Sequence, residues 1–212
     1  NDFYTYWFVR EFDVASVPSD RIVWLNFRGI NYKADIYLNG KRVNTKTHEG
    51  MFLRESYDIT SYLKSNATNR LAVIVYPPTF PGNPNGGQGG DGEIARNNTM
   101  QYSPGWDWIQ PIRDRSTGIW DEVSITTTGN VRLQAPYVVT KVPGVRQPEA
   151  TMQKDASVNV SVEVSNVSNQ PQSGVLVCET NGTKLQLPVS LNARETKTVS
   201  FKPIAIKNPK LW

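Results

Sequence analysis

The chain is poor in the residues that build most metal sites. Its 212 residues include one cysteine, Cys178, and one histidine, His48. A single cysteine excludes an intrachain disulfide and a cysteine metal cluster, and a single histidine supplies too few ligands for a typical zinc site. We therefore expect no metal ion and no other cofactor.

Long apolar runs and blocks of like charge are also absent. No run approaches the roughly 18 apolar residues of a membrane-spanning helix, and no signal peptide opens the chain. The net charge is +4, but the basic residues are scattered, with no run longer than Lys41 and Arg42. A nucleic-acid-binding protein usually has a basic stripe or face. We therefore expect neither nucleic acid nor a membrane as a partner.

Aromatic and β-branched residues dominate what is present. The chain has 6 Trp, 9 Tyr and 7 Phe, arranged in short apolar runs between turn residues, with no sustained helical stripe. This pattern predicts an all-β protein, and the length allows two modest domains. In KADIYLNGKRV, Asn39 and Gly40 favour a type I′ hairpin turn. Strands that are apolar on both faces are predicted at 22–27 and 71–76, and further strands at 3–12, 52–57 and 119–127.

The pattern changes from about Gly129. In SVNVSVEV, valines alternate with polar residues, as in a strand with one face in water. KLQLPVSL and TKTVSFKPI repeat this alternation. The second half is therefore predicted to be a small immunoglobulin-like β-sandwich. The outer face of its first alternating strand includes Asn159.

Residues 77–111 form a long loop without periodicity, and its end is rich in tryptophan. The sequence YSPGWDWIQPIRDRSTGIW places Trp106, Asp107 and Trp108 near Asp114 and Arg115. Sugars stack their C–H faces on indoles and donate hydroxyl hydrogen bonds to carboxylates, so this composition suits carbohydrate recognition. The alternative is that the indoles close the end of the sandwich beside an Asp114–Arg115 ion pair. Composition alone leaves both interpretations open.

Other candidate sites favour structural interpretations. A retaining glycosidase needs two carboxyl groups about 5 to 5.5 Å apart, but the acids in and near the loop have no sequence context that would bury them: Asp91, Glu93, Asp107, Asp114, Asp121 and Glu122. His48 is predicted to be a turn residue hydrogen-bonded beside Gly50. GGQGGDGE lacks the lysine and hydroxyl residue of a phosphate-binding loop. We therefore predict no catalytic residue in this chain.

Five N-x-[ST] sequons are candidate glycosylation acceptors. They lie at Asn66, Asn97, Asn159, Asn166 and Asn181. Their number favours a secretory, vacuolar or extracellular location, with a cytoplasmic one left open.

Several ordered motifs resemble the sugar-binding jelly-roll domain of glycoside hydrolase family 2. They are DIYLNGKRVNTKTHEGMF, YDITSYL, NRLAVIVY and GIWDEVSI. The resemblance implies a jelly-roll domain at 1–128. It implies the family's immunoglobulin-like domain at 129–212, truncated at its C-terminal end. It also places Trp120 in the core as a strand aromatic.

Within the family, GWDWIQPIRDRSTGIWDEV and the GGDGE insertion are similar to the branch of β-mannosidases, plant endo-β-mannosidases and exo-β-glucosaminidases. The resemblance implies a retaining hydrolase of β-mannosidic linkages in N-glycan-like oligosaccharides. Its catalytic glutamates would lie on a (β/α)₈ barrel, in the same protein or a companion chain, that no part of this sequence matches. It also implies that Trp106, Asp107 and Trp108 line the sugar pocket. An exo-β-glucosaminidase and an autonomous carbohydrate-binding module are the alternatives.

Overall fold

The computed structural model describes residues 4–80, 96–99, 116–144, 149–150, 152–180 and 182–211. Across these ranges the chain forms strands and one 3₁₀ helix but no α-helix, which confirms the predicted all-β class. The chain divides into two compact units, Asn1–Thr128 and Gly129–Trp212. No helix in the described ranges is long and apolar enough to cross a membrane.

The first unit contains ten strands within its described residues. These are β1 (Tyr6–Val14), β2 (Ile22–Phe27), β3 (Ile30–Asn31), β4 (Lys33–Leu38), β5 (Lys41–Arg42), β6 (His48–Glu49), β7 (Glu55–Asp58), β8 (Ala67–Tyr76), β9 (Gly118–Ile119) and β10 (Val123–Thr128), with the 3₁₀ helix at Thr60–Tyr62. One sheet has the order β1-β8-β4-β5, with β6 also on β4, and a second has the order β10-β2-β7. The short strands β3 and β9 pair separately.

The core of the first unit is formed by the apolar runs found in the sequence. Alternate residues of β4 are fully buried, and β2 and β8 contribute buried side chains from both faces. The cluster comprises Val23, Leu25, Phe27, Ile30, Ala34, Ile36, Leu38, Val43, Ile59, Leu71, Val73 and Val75. Burial of side chains of this size stabilises a fold by about 1.5 to 3 kcal/mol each.

The hairpin predicted at Asn39 and Gly40 is confirmed. These residues have φ angles of 53° and 81°, and Leu38 pairs with Lys41 across the two-residue turn. The Asn39 side chain donates to Tyr62 O at 2.9 Å. The turn therefore fixes the register of β4 and β5 and also connects them to the 3₁₀ helix.

The strand predicted at 119–127 is divided in two. Residues 118–119 pair with β3, and residues 123–128 pair with β2. The chain thus changes partners around Trp120, which no sequence periodicity indicates because the two partners lie far away along the chain. The strand predicted at 3–12 is confirmed as β1 with shifted ends. The strand predicted at 52–57 is confirmed only from residue 55, as β7, because residues 52–54 lie in the turn and connection before it.

The second unit consists of six strands in the described residues. They are β11 (Val131–Lys141), β12 (Ala156–Asn166), β13 (Gln172–Thr180), β14 (Thr183–Leu191), β15 (Thr196–Ser200) and β16 (Ile204–Ile206). One sheet has the order β11-β12-β15, with β16 also on β12, and the other pairs β13 with β14. Val162, Val164 and Leu191 form its buried cluster. The alternation predicted for β12 and β14 is confirmed, whereas the immunoglobulin-like assignment stays a prediction.

Candidate functional site

The predicted sugar-binding residues Trp106, Asp107 and Trp108 lie outside the described residues, as do Asp114 and Arg115. The described segments before and after them show where this part of the chain is attached. These segments are residues 76–80 and 96–99 on one side and 116–122 on the other. These flanking residues delimit the candidate site.

The C-terminal flank is anchored to β3. Asn31, which is fully buried, donates from its side-chain amide to the main-chain oxygen of Ser116 at 3.0 Å. Asn31 also pairs with Gly118, and Ile30 pairs with Ile119. Because a buried amide is costly to leave without hydrogen bonds, this arrangement sets the position at which the chain enters β9.

The N-terminal flank is closed by contacts around Phe80. The side-chain oxygen of Asn97 accepts from the main-chain N–H of Phe80, and the N–H of Arg96 donates to Phe80 O at 3.0 Å. The Arg96 guanidinium lies 5.4 Å from the centre of the Phe80 ring, within the range of a cation–π contact. Residues 80 and 96 are therefore held side by side.

Both flanks meet at one end of the first unit. The N–H of Tyr32 donates to Tyr76 O at 3.3 Å, and the N–H of Gly50 donates to Tyr32 O at 2.9 Å. The Lys33 ammonium donates to the Thr79 hydroxyl at 2.6 Å. The ends of β8, β6 and β3 thus come together, and β9 joins them through β3. The candidate site is this end of the unit.

Trp120 is not in the core, so its predicted placement is wrong. Its side chain is 44% exposed. Its indole N–H donates to Met51 O at 2.9 Å, and its ring meets that of Phe52 edge to face with centroids 6.0 Å apart. The physical reason is its position between β9 and β10, where neither strand register directs the side chain inward.

Phe52 and Leu53 are functional candidates that sequence reasoning missed. They are 45% and 51% exposed, on the turn that follows Gly50. The available signal was a run of three apolar residues, Met51 to Leu53, directly after Gly50. The Phe52 ring meets the Trp120 ring, so these two side chains form an exposed aromatic surface at the candidate site.

His48 has a structural role beside Gly50, as predicted, but it lies on β6, paired with Ala34 of β4, and not in a turn. It is 3% exposed, with Nδ1 3.2 Å from Glu55 Oε1 and Nε2 2.9 Å from Gly50 O. Because both ring nitrogens face acceptors inside the protein, neither is available to a substrate. The residues that the structure describes contain no group of three or more His, Cys, Asp or Glu side chains that could hold a metal ion.

The described acids at this end are exposed. Glu122 lies 3.3 Å from the Arg28 guanidinium, with about half of each side chain in water. Asp121 accepts from the main-chain N–H of Glu122 at 2.6 Å. The remaining acids considered from the sequence, Asp91, Glu93, Asp107 and Asp114, lie outside the described residues.

Two tyrosines in the first unit have raised pKa values. Burial, and secondarily the charge of Glu55, raises the pKa of Tyr57. Burial also raises the pKa of Tyr76, whose hydroxyl donates to Asp35 at 3.3 Å. Both phenols therefore remain neutral and able to donate hydrogen bonds at physiological pH.

The candidate glycosylation sites differ in environment. Asn66 is exposed in a turn at φ 53°, and Asn159 is half-buried on β12. Asn97 and Asn166 are buried. The Asn166 amide nitrogen donates to Gln170 O at 2.7 Å and to Asn192 O at 2.8 Å, so both its protons are used in the folded chain. Asn181 lies outside the described residues, and glycosylation of all five stays a prediction.

Known proteins match this chain across both units. It is 50% identical over 141 residues, 65% of its length, to a mannosylglycoprotein endo-β-mannosidase of Lilium longiflorum. It is 28% identical over 98% of its length to an exo-β-D-glucosaminidase of Amycolatopsis orientalis. A crystal structure of the exo-chitosanase from the same organism covers 97% of the chain with 27% identity and a TM-score of 0.74.

The chain spans a small part of these relatives, namely 14% of the lily protein, 18% of the Amycolatopsis sequence and 21% of the crystallised chain. Residues 2–121 match the model of the glycosyl hydrolase 2 galactose-binding domain-like family. The jelly-roll resemblance of the motifs is therefore confirmed, and the chain belongs to glycoside hydrolase family 2 as an N-terminal, galactose-binding domain-like part of such an enzyme.

Proposed function

We propose that the enzyme to which this chain belongs hydrolyses β-mannosidic linkages in N-glycan-like oligosaccharides, with retention of configuration. The observation that carries the proposal is the difference in identity between the lily endo-β-mannosidase, at 50%, and the glucosaminidases, at 26 to 28%. The 50% identity to the lily protein extends over 65% of the chain. The chain's own part is a scaffold and a loop that borders the sugar pocket.

In this proposal the catalytic carboxylates belong to a (β/α)₈ barrel in the same protein or a companion chain. Asp107 accepts hydrogen bonds from hydroxyls of the bound sugar, and Trp106 or Trp108 forms a wall of the pocket. Two hydrogen bonds support it, because Asn31 bonds to Ser116 O and Lys33 to the Thr79 hydroxyl, which attaches both flanks at one end of the sandwich. Preorganised attachment of this kind reduces the entropy lost when a substrate binds. The five sequons are also the ground for proposing that the protein enters the secretory pathway.

The test is an assay of the full-length enzyme on aryl β-mannosides, aryl β-glucosaminides and an N-glycan core oligosaccharide. We expect hydrolysis of the β-mannosidic linkage of the oligosaccharide. Replacing Asp107 with alanine should lower kcat/KM about 100-fold if the carboxylate holds hydroxyls that bind more tightly in the transition state. The control is Asp20→Ala, since Asp20 is a highly exposed acid on another loop. Equal kcat/KM for the two variants would contradict the role of Asp107.

An exo-β-glucosaminidase is the second candidate. It is favoured by a match that extends over 98% of the chain and by the crystal structure with a TM-score of 0.74. Release of glucosamine from chitosan oligosaccharides, with no cleavage of β-mannosidic linkages, would establish this alternative. Saturable binding of oligosaccharides by the chain alone would instead indicate an autonomous carbohydrate-binding module.

A further inference from the structure

An exposed apolar surface lies at the candidate site. We define the Trp120 platform as Phe52 and Trp120, which are 45% and 44% exposed and whose rings meet edge to face. Large apolar side chains grouped in water usually mark a surface that binds something. Trp120 is only four residues from Ser116, where the described chain resumes after the segment holding Trp106, Asp107 and Trp108.

The indole of the platform is held in place before any ligand arrives. Its N–H donates to Met51 O at 2.9 Å, and the main-chain N–H of Trp120 donates to Gly29 O at 3.2 Å. The ring lies so close to Gly29 that a methyl group there would come within 2.3 Å of it. An aromatic side chain fixed in this way loses little conformational entropy when it binds a ligand.

The exposed chemistry of the platform restricts the ligand. Since the indole N–H is already used, the accessible part of the side chain offers ring carbons and no strong donor, so the ligand must bring an apolar C–H face. Charged residues adjoin Gly29 and Trp120 in the sequence. Arg28 precedes Gly29, and Asp121 and Glu122 follow Trp120, all with exposed side chains. Donors and acceptors beside a bare aromatic surface suit a pyranose ring, which combines C–H faces with hydroxyls.

We propose that the Trp120 platform is a stacking subsite for a sugar of the oligosaccharide substrate, beyond the residue whose glycosidic bond is broken. The proposal rests on the proposed function, because it assigns the platform to the same substrate. It assigns binding to Phe52 and Trp120 and no step of the chemistry. A docking face for another part of the enzyme is the competing role, and the experiment separates the two.

The experiment compares Trp120→Ala, Trp120→Phe and Phe52→Ala in the full-length enzyme. Trp7→Ala is the matched control, because Trp7 is 62% exposed on β1 and lies outside the platform. For the N-glycan core oligosaccharide, Trp120→Ala should raise KM about three- to tenfold with kcat unchanged, the effect of one lost stacking contact. An aryl β-mannoside, which lacks the distal sugars, should show no change. Trp120→Phe should recover most of the affinity.

Equal losses on the two substrates, with a lower Tm in Trp120→Ala but not in Trp7→Ala, would assign the platform to docking and overturn the proposal. Unchanged KM for the oligosaccharide would also overturn it. Fluorescence titration with the same oligosaccharide keeps the test independent of turnover. Saturable quenching that Trp120→Ala abolishes would support the subsite even if the enzyme cleaves another linkage. No quenching would contradict it.

Discussion

Replacing Gly29 with alanine should displace the Trp120 indole. A Cβ atom at Gly29 would lie 2.3 Å from Cε2 and 2.5 Å from Nε1 of the indole. Real Cβ contacts essentially never fall below 3.0 Å, so the ring has to move. The backbone of Gly29 is not in the positive φ region, so the cost is steric and not conformational.

The magnitude follows from what the indole loses when it moves. Trp120 is half-exposed, so the ring can move toward water and the cost of overpacking a core is largely avoided. The moved indole loses its hydrogen bond to Met51 O, about 0.5 to 1.5 kcal/mol, and its edge-to-face contact with Phe52, about 0.5 to 1.5 kcal/mol. We therefore expect Gly29→Ala to lower the free energy of unfolding by about 1 to 3 kcal/mol. Gly174→Ala is the control, because nothing lies within 4 Å of its added methyl group.

The assay is a double-mutant cycle by urea denaturation, followed by tryptophan fluorescence. In Gly29→Ala/Trp120→Ala the clash is absent, so this variant should match Trp120→Ala to within about 0.5 kcal/mol. Additive losses in the double variant, or a loss from Gly29→Ala no larger than that from Gly174→Ala, would refute the proposed contact.

The remaining predictions concern other parts of the fold. Asn166→Ala should destabilise the protein by about 2 to 4 kcal/mol in urea denaturation, because it removes several buried hydrogen bonds at once; a loss no greater than that of Asn159→Ala would contradict this. The raised pKa of Tyr57 means that its stabilising contribution is complete below pH 10 and is lost as pH rises toward the folded-state pKa. Stability measured from pH 9 to 11 should therefore fall less in Tyr57→Phe, and parallel curves would exclude the effect. Gly40→Ala should lower the free energy of unfolding by about 1 kcal/mol through backbone strain at φ 81°, whereas Gly174→Ala should not, as urea denaturation would show.

Local chemistry made much of the fold predictable. The turn at Asn39 and Gly40 depends on the φ angles that these two residues tolerate, so the hairpin follows from the chain itself. The inward alternation of β12 follows from side-chain period in the same way. The hydrogen bond of His48 beside Gly50 is also predictable, whereas its place on β6 and its partner Glu55 come from the structure.

The environment of Trp120 was not predictable, because its partners are distant in sequence. Its neighbours Gly29 and Met51 precede it by 91 and 69 residues. The strand pattern around GIW predicts one continuous strand. Only the strand pairing in the structure shows that the chain changes partner there from β3 to β2.

The sequence by itself determined the all-β class, the principal hairpin and the family, since these depend on short-range backbone preferences and on motifs carried in order. Only the tertiary structure decided which aromatic side chains remain in water and which asparagines are buried. Exposure is a property of residues brought together across long loops, and no local window of sequence contains both partners of such a contact.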